Sequence, residues 1–201
     1  TLFNRFSQQY LEATTGGVEL LRKDRDEFSR LILSKFGNTA AIVDLGCGPG
    51  RDVKLFSKVG FKVTGFDVSS ENIKKCHQDG YDALQGDLYK LDSYFEENQF
   101  CGAWCNCSVT NWLLKSEIPT VIEYIKKIVK PDGYIFIGSV LGSLAGWEID
   151  QKYDGLKRYN NHWDETVLRG ILENIGELVY ENKLTNTGKK DYLNQVFRNV
   201  K

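Results

Sequence analysis

The chain contains no methionine, only two histidines, no CxxC pair and no apolar run of 18 residues. Each absence excludes something. Without a long apolar run no membrane span is expected. The opening TLFNRFSQQY has no apolar h-region of the kind a signal peptide carries. Cysteines stand at 47, 76, 101, 105 and 107, and the only close pair is Cys105-x-Cys107. That scatter suits neither a disulfide framework nor a metal site, and it points to small apolar side chains in a reduced, cytoplasmic protein. Lysine plus arginine number 26 against 27 acids, a net charge of −1. Bulk electrostatics therefore gives no reason for a nucleic-acid or other polyanionic partner. Methionine is missing even from position 1, so Thr1 is not expected to be the translation start. No internal repeat or low-complexity segment stands out, and nothing in the sequence sets an oligomeric state.

What is present is an α/β pattern. A chain of 201 residues with 41% apolar and 26% charged residues has the make-up of one globular domain, residues 1–201. Residues 1–38 read as a helical lead-in, broken at Gly16-Gly17. Strands are expected at about 40–46, 62–67, 81–88, 100–107 and 134–140. Helices are expected between them, with Ser69 or Ser70 capping the second. Ile118, Val121, Ile122, Ile125 and Val129 recur at helical spacing. Residues 141–163 read as irregular. Asp164 caps a last helix over 165–175, and Leu178 to Leu184 with Tyr192 to Val200 read as a closing antiparallel hairpin around Gly188. Alternating strands and helices make a mainly parallel sheet with helices on both faces.

The most telling stretch is IVDLGCGPG, residues 42–50. A β-branched run meets Asp44, and Gly46, Gly48 and Gly50 then alternate. A helix follows from Arg51. Glycine permits positive φ and a close ligand approach, so strand, turn and helix together suit a nucleotide-type site. A dinucleotide fingerprint needs a small third residue at position 51, where Arg51 would crowd the helix–strand contact. The D-x-G-x-G-x-G pattern instead resembles the first motif of class I S-adenosylmethionine-dependent methyltransferases. VKPDGYIFIG (129–138) resembles that family's K-P-G-G turn into strand five, with Asp132 in place of a glycine. WDETVLRGILENIGELV (163–179) is similar to its T-x-x-x-L segment. The resemblance covers roughly 40–180. It implies a Rossmann-like sheet of seven strands, the last reversed, and S-adenosyl-L-methionine as cofactor.

Site residues follow in the same terms. Asp67, at the end of strand two, is placed to accept from a ribose diol, with Val68 beside it. The resemblance puts Asp87 at the adenine amino group and Leu88 next to the ring. It sets Cys105 and Asn106 at the methionine portion, through main-chain carbonyls. Asp44, Gly46, Cys47, Gly48 and Gly50 complete the cofactor set, with Arg51 or Arg22 as carboxylate partners. For the acceptor, the candidates are Tyr10, Asn111, Trp112 and the loop bearing Trp147, Tyr153, Tyr159 and Trp163. His162 is the candidate base. The lead-in is expected to act as a lid and 141–163 as the substrate loop. After strand four the chain reads Asn106-Cys107-Ser108-Val109, without the D/N-P-P-Y/F of many base methylases. It looks most like small-molecule enzymes, including the tellurite-resistance group, although Asn111 replaces their histidine. The implied activity is methyl transfer to a small molecule. The rival readings are a non-catalytic S-adenosylmethionine-binding protein on the same fold and, less favoured by Arg51, a nucleotide-dependent oxidoreductase.

Overall fold

The structure is a computed structural model that describes residues 17–143, 145–150, 156–185 and 190–201. Seven strands form one sheet in the order β3-β2-β1-β4-β5-β9-β8: β1 (Ala41–Leu45), β2 (Lys62–Asp67), β3 (Ala83–Gln85), β4 (Phe100–Asn106), β5 (Val129–Val140), β8 (Glu177–Leu184) and β9 (Tyr192–Arg198). The pairs from β3 to β5 are parallel, while β9 runs antiparallel to both β5 and β8. The expected parallel sheet with one reversed strand is what forms.

The helices are α1 (Gly17–Leu20), α2 (Arg22–Phe36), α3 (Arg51–Val59), α4 (Ser70–Gln78), α5 (Val109–Trp112), α6 (Ile118–Ile128) and α7 (Glu165–Leu172). Their ends follow local chemistry. Ser69 accepts from the Asn72 amide to open α4, and Asp164 accepts from the amides of Thr166 and Val167 to open α7. Gly60 closes α3 in a left-handed conformation.

Side chains alternate between the two faces of the sheet. Ile42, Trp104 and Phe136 meet Phe28 of α2 and Phe56 of α3 on one face. Val43, Cys105 and Ile137 meet α6 and α7 on the other. Trp104 stacks on Phe136 at 3.6 Å and takes edge contacts from Phe28 at 5.4 Å and Phe56 at 5.1 Å. Each such pair adds about 0.5–1.5 kcal/mol beyond simple burial.

Three expectations need correction. Residues 141–163 are not irregular: β6 (Ala145–Asp150) and β7 (Leu156–Asn161) form a separate antiparallel pair. Strand β5 begins at Val129, running through Pro131-Asp132-Gly133 with a register shift against β4. Asp132 there has φ +59°, the left-handed conformation that suits a glycine. The last helix stops at Leu172 rather than 175, and the Ile175 amide closes a turn onto the Leu172 carbonyl.

Candidate functional site

The loop after β1 sits at the carboxyl ends of the parallel strands, where α/β sheets bind ligands. Gly46, Gly48 and Gly50 have φ of +78°, +55° and +88°. Space also matters. A Cβ on Gly46 would lie 2.4 Å from Ser108 Cβ, and one on Gly50 would lie 2.9 Å from Cys76 Sγ. The amides of Gly46 and Cys47 both donate to the Phe66 carbonyl, at 2.7 and 3.1 Å, which fastens the loop to the end of β2.

Asp67 ends β2 and organises its surroundings. Oδ2 accepts from the Gly48 amide at 2.9 Å; Oδ1 accepts from the Ser69 amide at 2.8 Å and Asn72 Nδ2 at 3.2 Å. Burial nevertheless holds its carboxyl above the ordinary range, against those three bonds. Oδ2 keeps acceptor capacity beyond its one bond. Next to it Val68 is 42% exposed, an apolar side chain open beside a polar anchor. Asp87 accepts from the Tyr89 amide at 3.0 Å through Oδ1 and so caps the 3₁₀ turn Leu88–Ser93. Leu88 packs partly against the core. Tyr89 then donates to Glu117 at the start of α6, joining this turn to the segment after β4.

Asp44 is 3% exposed and Cys47 7%. Desolvation first, and then the neighbouring Asp52, push the Asp44 carboxyl well up. Cys105 is buried against the core, its thiol raised by burial. Asn106 is half-buried. Cys107 follows with φ +51° and donates its amide to the Gly138 carbonyl at 3.0 Å. Desolvation pushes its thiol up to about 12. Ser108 is 5% exposed, and its hydroxyl, close to Gly46, has no hydrogen-bond partner.

A buried charge cluster that the sequence reading missed lies beneath the loop. Asp52 accepts from Arg25 Nη1 at 3.2 Å, Arg51 Nη2 at 2.5 Å and Trp104 Nε1 at 3.2 Å. The signal was available: Asp52 adjoins Val53 and precedes Phe56 by four, so it shares the inward stripe of α3. Arg22, by contrast, pairs with Glu19 at the surface, its side chain 68% exposed.

The acceptor-side residues divide. Asn111 and Trp163 both make packing hydrogen bonds. Asn111 Nδ2 donates to the Asn161 carbonyl at 3.2 Å, and Trp163 Nε1 donates to the Thr110 carbonyl at 2.9 Å. Asn161 in turn donates to the carbonyls of Thr110 and Leu113, at 3.1 and 2.8 Å. This clasp holds α5 against the end of β7. Trp112 is half-buried. Trp147 is 63% exposed and meets Tyr159 across the β6–β7 pair at 5.7 Å. His162 Nε2 lies 2.9 Å from Lys190 Nζ, and an ammonium can only donate, so that nitrogen accepts. Tyr10 and Tyr153 lie outside the described residues. Among the described residues no cluster of three or more His, Cys, Asp or Glu could hold a metal ion.

With a glycine loop bound to the β2 acid and a sheet of order 3-2-1-4-5-9-8 with one reversed strand, the chain shares the fold of solved methyltransferases. Residues 43–137 match the family model described as methyltransferase domain. The chain is 28% identical over 121 residues to a malonyl-[acyl-carrier protein] O-methyltransferase of Erwinia pyrifoliae, covering 56% of this chain and 44% of that protein. It is 26% identical over 149 residues to the mitochondrial ubiquinone biosynthesis O-methyltransferase of Rattus norvegicus, covering 68% and 42%. The chain thus spans less than half the length of these relatives. Among solved structures it resembles the 1,6-didemethyltoxoflavin-N1-methyltransferase of Burkholderia thailandensis, which holds S-adenosylhomocysteine, with TM-score 0.68, 21% identity and coverage of 87% and 77%. That likeness is one of fold.

Proposed function

We propose that this chain binds S-adenosylmethionine and transfers its methyl group to a small-molecule acceptor. The observation that carries the reading is the bond from the Gly48 amide to Asp67, which joins the glycine loop and the β2 acid into one polar surface. The bound sulfonium supplies an activated methyl electrophile. The chain's own residues bind and orient. Asp67 Oδ2 accepts from the ribose hydroxyls, while Val68 and Leu88 flank the adenine and Asp87 accepts from its amino group. The glycine loop, from Gly46 to Gly50, leaves room for the aminoacyl chain, and the carbonyls of Cys105 and Asn106 accept from its ammonium. Ser108, whose buried hydroxyl lacks a partner, adds one donor at the same place. Asp44 and Cys47 support the loop from beneath. Arg51, held by Asp52, faces the carboxylate.

Holding donor and acceptor in near-attack geometry can supply about 7–11 kcal/mol, so methyl transfer needs little further catalysis. The lid expected of residues 1–38 falls in part on residues 1–16, outside the described residues, while α2 packs on the sheet through Phe28 and Ile32; the β6–β7 pair with Trp147 and Tyr159 forms the acceptor side. His162 is the candidate base: its loss should alter the pH profile of turnover, and an unchanged profile in His162→Ala removes that role. No helix among the described residues is long and apolar enough to cross a membrane. With four of its five cysteines buried and all of them free, the chain suits a reducing, cytoplasmic setting.

The test is release of S-adenosylhomocysteine from S-adenosylmethionine across a panel of small hydroxyl, amino and thiol compounds. Release that depends on one acceptor class supports the proposal. The packing of Asn111, where related enzymes carry a histidine, favours the second reading, a binding protein without transfer. Saturable cofactor binding with no release across the panel establishes that reading.

A further inference from the structure

Three elements of the fold meet at one carboxylate. Asp52 lies in the first turn of α3, directly after Arg51. Its Oδ1 accepts from Arg51 Nε at 3.3 Å and from Arg25 Nη1 of α2 at 3.2 Å; its Oδ2 accepts from Arg51 Nη2 at 2.5 Å and from Trp104 Nε1 of β4 at 3.2 Å. The side chains of Arg25, Asp52 and Arg51 are 8%, 5% and 17% exposed, so water screens these charges little.

Arg51 and Asp52 are neighbours on one helix, so their mutual grip does not fix where the pair points. That is set from outside, by one partner on each carboxylate oxygen. Trp104 is locked in the sheet by its stack on Phe136 at 3.6 Å. Arg25 is held at both tips of its fork, because Nη2 donates to the Val18 carbonyl of α1 while Nη1 donates to Asp52. Two anchors on two oxygens stop the Asp52 carboxylate from turning, and a guanidinium gripped at Nε and Nη2 then has its plane fixed as well. Burial first, and repulsion from Arg51 after the opposing pull of Asp52, lower the Arg25 guanidinium. The two cations therefore act on each other, and Arg25 limits where the Arg51 fork can lie. Arg51 faces the end of β4: burial dominates the Cys107 thiol, and Arg51 is the first charge acting against it.

We propose that Arg25 is a positioning residue for recognition of the cofactor's carboxylate: it touches no ligand, but it pins Asp52 and through Asp52 the Arg51 fork. This rests on the proposed function and deepens it, by assigning to a residue of α2 the preference for a ligand that carries the aminoacyl chain.

The experiment is calorimetric titration of S-adenosylhomocysteine and of 5′-methylthioadenosine, which keeps the adenosine and the sulfur but has no carboxylate, into wild type, Arg25→Gln and Arg25→Lys. Wild type should prefer S-adenosylhomocysteine. In Arg25→Gln that preference should shrink at least about fivefold, with the affinity for 5′-methylthioadenosine unchanged. Arg25→Lys keeps the charge but loses the fork, and should fall between. A merely structural Arg25 would weaken both nucleosides alike, so equal losses, or an undiminished preference in the folded variants, overturn the proposal. Arg25→Gln leaves Asp52 bonded to Arg51 and Trp104, so the variant is expected to fold. If circular dichroism shows it unfolded, Arg25→Lys decides: a reduced preference supports the proposal and an undiminished one overturns it. Wild type that binds the two nucleosides equally overturns this proposal and leaves the cofactor reading standing, whereas folded wild type that binds neither overturns the cofactor reading and this proposal with it.

Discussion

Replacing Gly46 by alanine tests the loop's construction, because two separable costs meet at one carbon. The first is conformational: at φ +78° a residue with a Cβ gives up about 1–2 kcal/mol. The second is steric: the new methyl would sit 2.4 Å from Ser108 Cβ, closer than side-chain carbons approach, so either the loop or the start of α5 must shift. Overpacking of this kind costs about 1–3 kcal/mol. Gly46→Ala should therefore lose about 2–5 kcal/mol in urea unfolding, and weaken S-adenosylhomocysteine binding in calorimetry because the loop carries its amides away from the ligand. Ser108→Gly should remove the clash and leave the strain. The double variant should accordingly recover about 1–3 kcal/mol relative to Gly46→Ala, beyond what Ser108→Gly does alone. Additive behaviour of the two changes, or a Gly46→Ala cost below about 0.5 kcal/mol, would refute the reasoning.

Two further outcomes are expected. The buried Asp44 carboxyl lies well above its ordinary 3.8, so the folded state holds a proton that the unfolded state has released, and stability falls as pH rises from about 4 through the raised value. Asp44→Asn removes that fall; in urea unfolding from pH 4 to 8 its stability relative to wild type should grow with pH, and a constant difference contradicts the burial argument. Asn161→Ala strips the donor from the Leu113 carbonyl at 2.8 Å, while the Thr110 carbonyl keeps Trp163 Nε1 at 2.9 Å; it should cost about 1–3 kcal/mol while loosening α5, read as faster amide exchange at residues 109–113.

Much of the fold was legible because its signals are local. Gly46, Gly48 and Gly50 adopt positive φ, the conformation that alternating glycines after a strand imply. Ser69 and Asp164 cap helices where their side chains predict caps. Asp132 takes the left-handed conformation at the position where the related turn has a glycine. What escaped depends on partners distant in sequence. Asp52 reads as one charge in a polar helix until Arg25 and Trp104 close on it, 27 and 52 residues away. Nothing near Asn111 in sequence foretells the bond from its amide to the Asn161 carbonyl, 50 residues on. In the β6–β7 pair only β6 alternates, through Ala145, Trp147 and Ile149, while β7 (Leu156–Asn161) does not, and Trp147 and Ile149 stay exposed instead of joining the core.

The central claim, that the glycine loop and Asp67 together hold S-adenosylmethionine, is met most directly by calorimetry with S-adenosylhomocysteine on the wild type and on Asp67→Asn. The asparagine keeps the size but loses a charged acceptor worth about 1.5–3 kcal/mol, a roughly 10- to 150-fold rise in Kd. Saturable one-site binding by the wild type with that loss in the variant is the expected result. No binding to folded wild type, or the same Kd in both, contradicts the account.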